Sequence, residues 1–118
     1  MFNFEKLETW HEAIAFADLV YRLTRNFPVE ERFGLTNQMR RAAVSISSNI
    51  AEGCSRNSRV DYARFVEIAT GSVFEVVSQA TIGRNQGLLS ETDYEQLYQT
   101  AEKQSRMLSG LRKSLEAA

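Results

Sequence analysis

Residues 34–53, GLTNQMRRAAVSISSNIAEG, decide how the rest of the chain is read. At about 100° per residue, Met39, Ala42, Ala43, Ile46, Ile50 and Gly53 fall on one apolar arc of a helix. Gln38, Arg41, Ser45, Asn49, Glu52 and Arg56 line up on another, at alternating spacings of three and four. An ordinary core helix has no use for an unbroken polar stripe of that length. Between the arcs, Val44, Ser47 and Ala51 make a flank of small side chains that lets a second backbone approach closely. Contact on more than one side follows, and with it a helical, self-associating domain. The stripe itself fits a solvated, a pore-facing or a subunit-buried surface, and periodicity does not separate these. Buried between subunits, Arg41 and Asn49 would each need partners, because an unpaired buried polar group costs about 1–3 kcal/mol.

Upstream, Leu7, Trp10, Ala13, Ile14, Ala17, Val20, Tyr21 and Phe27 recur at helical spacing and predict a first helix over residues 7–26, ended by Pro28. Trp10 and Phe16 lie on different sides of it, as one broad core face or as a core face plus a subunit contact. The connection PVEERF, 28–33, places Glu30 and Glu31 where a short helical turn has its positive end.

Downstream, Gly53 and the polar run SRNS close the second helix, and Ser58 with Asp61 has capping-box spacing. A third helix over 59–85 buries Tyr62, Phe65, Val66, Ala69, Val73, Val76, Val77 and Ala80, and mid-helix Gly71 marks the close approach of another helix. QGLL at 86–89 is a turn with Gly87 as a left-handed cap, after which Ser90 and Asp93 repeat the capping spacing. The last helix buries Tyr94, Leu97, Tyr98, Ala101, Leu108, Leu111 and Leu115. Short connections between long amphipathic helices predict an all-α, antiparallel up-down-up-down four-helix bundle, one domain over residues 1–118.

The 118 residues suffice for one core. With 43% apolar and 25% charged residues the composition is that of an ordinary globular protein. No apolar run nears the ~20 residues of a membrane span, and acids stand where a signal peptide would be basic. A cytoplasmic protein without a membrane partner is expected. Net charge is −1, but residues 22–64 hold eight arginines against four acids, a local +4 against −5 elsewhere. Arginine suits bidentate phosphate or carboxylate contacts. Arg40, Arg41, Arg56, Arg59 and Arg64 are therefore the candidate nucleic-acid contacts, and Gln38, Ser45, Asn49 and Glu52 the candidate assembly residues of the polar stripe.

Catalytic chemistry finds no foothold. There is no glycine-rich phosphate loop, no HExxH or ExxH pair, and no recognisable nucleophile, histidine and acid set. Single Cys54 and single His11 preclude an intrachain disulfide or a familiar Cys/His zinc site. Glu52, Glu67 and Glu75 read as solvated glutamates rather than metal ligands. No enzyme, metal or cofactor is expected.

The run RFGLTNQMRRAAVSISSNIAEG, then SRVDYARFVEIATGSVFEVVSQ and GLLS, with LETWHEAIAFADLVYRLTRNFP before them, resembles a bacterial four-helix-bundle family encoded in intervening sequences of 23S ribosomal RNA genes. Ser47 stands where that family usually has proline in SIPSNIAEG, so a straighter second helix is expected. The resemblance implies a ring-like homopentamer. It also links the chain to the accessory protein of diversity-generating retroelements, which is associated with reverse transcriptase and nucleic acid. Gln38, Arg40, Arg41, Ser45, Asn49 and Glu52 match the family motif as assembly or ligand-surface positions. The resulting expectation is a noncatalytic homopentameric scaffold that binds RNA or DNA, with a protein-interaction adaptor as the alternative.

Overall fold

Four α-helices, α1 (Glu8–Thr24), α2 (Leu35–Gly53), α3 (Arg59–Asn85) and α4 (Glu91–Glu116), account for most of the computed structural model, which describes residues 1–116. Short 3-10 turns at Asn3–Lys6 and Val29–Glu31 precede α1 and α2. Each helix packs on two neighbours, α1 and α3 each lying against α2 and α4. The neighbours are antiparallel: Leu35 at the start of α2 meets Gly83 near the end of α3, and Cys54 after α2 meets Tyr62 at the start of α3. Likewise Thr81 of α3 bonds Tyr94 of α4.

The apolar arc of α2 is buried as its spacing predicts: Met39, Ala43, Ile46 and Ile50 are fully enclosed, and Ala42 and Gly53 lie close behind. α2 runs unbroken through Ser47, whose hydroxyl donates to the Val44 carbonyl at 3.2 Å. Its first turn is capped from outside the helix, where the Leu35 N–H donates to Glu31 Oε1 at 3.1 Å. The acid expected to favour the short turn at 29–31 thus also supplies an acceptor to one of the otherwise unpaired amides at the start of α2. Ser58 and Ser90 cap α3 and α4, each accepting an N–H at 3.0 Å from Asp61 and Asp93. Gly87, at φ +76°, closes the α3–α4 turn in the left-handed region.

In α1 the buried arc is rotated from the expected one. Phe16, Leu19 and Thr24 join Ala13, Ala17 and Val20 inside, while Ile14 and Tyr21 are exposed. Apolar residues occur nearly all round this helix, so spacing alone left several arcs open, and the partners α2 and α4 select one. Trp10 is half-buried against Phe4, ring centroids 4.9 Å apart. On α4, Tyr98 is exposed rather than core, and Gln104 takes an interior position, its amide donating to the Thr9 carbonyl at 3.3 Å.

The close helix approach expected at Gly71 is absent within the subunit, since a Cβ there would meet nothing within 4 Å. The tight position is Gly53, where a Cβ would lie 3.0 Å from both Phe65 Cβ and Tyr62 Cδ1. Gly53→Ala is therefore expected to lower stability by about 1–2 kcal/mol, overpacking outweighing the roughly 1 kcal/mol of helix propensity gained. A urea denaturation midpoint at or above the wild-type value would contradict this.

Candidate functional site

The polar stripe of α2 divides into two halves. Toward the C-terminus it is knitted into itself: Asn49 Nδ2 donates to the Ser45 carbonyl at 2.8 Å and to Ser45 Oγ at 2.9 Å, and Arg56 pairs with Glu52 at 2.8 Å. Ser72 Oγ of α3 also donates to Ser45 Oγ, at 3.0 Å, tying the stripe to the neighbouring helix. Toward the N-terminus it opens. Gln38 and Arg41 line a groove of about 380 Å³ between α2 and α3, opposite Glu75 and Gln79.

The five candidate arginines do not form one patch in the subunit. Arg40 is half-buried and committed to α1, where Nε donates to Thr24 Oγ1 at 2.9 Å and the guanidinium lies 4.6 Å from the Tyr21 ring centroid. Thr24 Oγ1 donates its hydrogen bond to the Val20 carbonyl at 2.8 Å, which leaves its lone pairs free to accept from Arg40. Arg41, next in sequence, is exposed and makes no hydrogen bond or ion pair among the described residues. Arg56, Arg59 and Arg64 lie near the far end of α2, roughly 20 Å along its axis at ~1.5 Å per residue. There Arg56 covers the Phe65 ring at 4.6 Å, and Arg59 and Arg64 share a shallow groove with Leu115 of α4.

Beside this second cluster, the Cys54 thiol and Tyr62 hydroxyl are 3.0 Å apart. Burial, and after it the hydrogen bond and charge of Cys54, hold the Tyr62 phenol well above its usual 10.0, so it stays a neutral donor or acceptor at physiological pH. Asn3 Nδ2 donates to the Cys54 carbonyl at 2.9 Å, pinning the N-terminal turn to the same corner. Among the described residues no group of three or more His, Cys, Asp and Glu side chains could hold a metal ion, and no helix is long and apolar enough to cross a membrane.

The outer surface of α3 carries a feature that spacing concealed. Val60, Ile68, Phe74 and Ile82 are 71%, 48%, 65% and 51% exposed, and with bare Gly71 they form a stripe along a 27-residue helix. Around the edge from Phe74, the residues Val73, Val77, Tyr98 and Ala101 line an apolar groove between α3 and α4. The signal in the sequence was that α3 is apolar on nearly every side, more than one buried face needs.

Residues 5–110 match the family model described as 23S rRNA-intervening sequence protein. Among solved structures, the chain is similar to a crystallised protein of unknown function from Bacteroides thetaiotaomicron, placed in the S23 ribosomal protein family. The identity is 20%, the match covers 89% of this chain and 98% of that one, and the TM-score is 0.79, a likeness that bears on the fold. No curated protein matches the chain.

Proposed function

The chain belongs to the 23S rRNA-intervening sequence protein family, and on that footing we propose that it is a noncatalytic scaffold, a ring-like homopentamer that binds RNA or DNA through its arginines. The observation that carries the assembly is the apolar stripe of α3. Isolated exposed apolar side chains are normal on a protein surface, but four large ones repeated along one side of a single helix, interspersed with Arg64, Glu67 and Ser78, fit an interaction face of mixed character. Repetition around a ring would also multiply arginine clusters that are small in one subunit, converting later contacts into intramolecular ones.

The test is the absolute mass of the purified protein by light scattering, with absorbance at 260 and 280 nm followed across the same peak. The expected species has five times the 13.4 kDa subunit mass, with excess 260 nm absorbance removed by nuclease or high salt. A 13.4 kDa species would overturn the assembly. A clean pentamer that binds no added RNA or DNA would remove the nucleic-acid part.

A second reading, a protein-interaction adaptor, draws on the groove lined by Val73, Phe74, Val77 and Tyr98. It predicts recovery of a stoichiometric protein partner at moderate salt, free of nucleic acid.

A further inference from the structure

The groove between α2 and α3 has one-sided chemistry. Gln79, 9% exposed, donates its Nε2–H to Glu75 Oε2 across 3.5 Å, the outer limit of a hydrogen bond. The reverse amide orientation would set two acceptors against each other. This leaves Gln79 Oε1 shielded from water and without a partner. The wall therefore offers the two Glu75 oxygens as acceptors, with Gln79 Oε1 enclosed beside them, while Arg41 brings an unpaired positive charge to the same groove. An occupant with adjacent donors at one end and a negative charge at the other satisfies all of them together.

Resting on the nucleic-acid reading above, we infer that this groove is a subsite for one unpaired guanine nucleotide of an RNA or DNA strand. Glu75 accepts from guanine N1–H and N2–H, and Arg41 holds the phosphate. Gln79 Oε1 takes the other N2–H after a small rotation of its weakly held amide. Guanine is the base whose pairing edge carries two neighbouring donors. Adenine and cytosine set a ring acceptor beside a single amine, and uracil flanks its one N–H with carbonyls, so each turns an acceptor toward the carboxylate. Ser45 and Ser72, small and already bonded to each other, leave the groove open to a flat ring. Tyr21, with the Arg40 guanidinium over its ring, stands in the adjoining groove that Arg41 also lines.

The experiment measures fluorescence anisotropy of a labelled oligouridylate and of the same strand with one central guanine, titrated with the full-length protein in its assembled form. The guanine strand is expected to bind about tenfold more tightly or better, the discrimination of one good bidentate base contact. Glu75→Gln keeps the side-chain size but turns one acceptor into a donor, so it should bring the two strands to equal affinity; losing the carboxylate beside Arg41 raises the affinity for both strands alike and does not restore the difference. Arg41→Ala should weaken both strands alike. Equal affinity of the wild type for the two strands would overturn the guanine subsite and leave the nucleic-acid reading standing, whereas no binding of either strand would overturn both. A preference that survives Glu75→Gln would place base recognition elsewhere and reject the assignment. Loss of the assembled mass on Glu75→Gln, with no strand preference in the wild type, would mean that a donor side chain of a second copy fills the groove, and the inference would fail.

Discussion

Phe74→Glu combined with Ile82→Glu is expected to yield a fully helical chain that no longer self-associates, its mass by light scattering falling to the 13.4 kDa of one subunit. Both side chains are more than half exposed in the subunit, so the fold loses little by their replacement. An interface loses far more. Burying one such side chain is worth about 1.5–3 kcal/mol, and each closed ring repeats the loss at every contact, with the added cost of desolvating the new carboxylates. Circular dichroism separates the outcomes. An unchanged assembled mass with unchanged helicity would show that neither the α3 stripe nor the α3–α4 groove that Phe74 also lines is the contact surface, and the assembly would have to be sought on α2.

Arg41→Ala with Arg56→Ala is expected to flatten the salt dependence of RNA or DNA binding. Each phosphate contact contributes a slope of about 0.7–0.9 in log affinity against log salt, so two lost contacts lower the slope by about 1.4–1.8 for every subunit engaged. Stability should fall only by about 1 kcal/mol. Arg41 has no partner among the described residues, the Arg56–Glu52 pair is a solvent-exposed i,i+4 bridge worth about 0.3–0.5 kcal/mol, and the Arg56 contact with the Phe65 ring adds about 0.5–1 kcal/mol. Equal slopes for the wild type and the double variant would reject phosphate contacts at these positions. Because Arg41 sits in the second turn of α2 and Arg56 just beyond its last residue, a strand that touches both on one subunit must run along that helix.

Much of the fold was legible in the sequence because the punctuation was chemical. Pro28, Gly53, Ser58, Gly87 and Ser90 mark ends that side-chain caps and a left-handed glycine then supply, and α2 and α3 begin and end where those residues place them. Which arc of a helix turns inward was legible only where polar residues cleared the others. On α2 they do, and its buried arc is the expected one. On α1 they do not, so Phe16 and Leu19 could replace Ile14 and Tyr21 inside without breaking any local rule. Gly71 shows the same ambiguity: a glycine within a helix signals either a close neighbour or none, and within the subunit it has none. The candidate arginines were grouped by proximity in sequence. The greater part of the 19-residue α2 separates Arg40 and Arg41 from Arg56, Arg59 and Arg64, and the partner of Arg40, Thr24, comes from another helix altogether.

The subunit is a rod, with Cα extents of 47 × 22 × 21 Å. Five such rods standing side by side in the proposed ring would enclose an axial lane roughly 15 Å across before side chains narrow it. Side chains several ångströms long reach into such a lane from every wall, so a duplex, with its two backbones and stacked pairs, cannot enter it. The proportions of the bundle would then keep double-stranded nucleic acid on the outside of the ring, by exclusion and whatever its sequence.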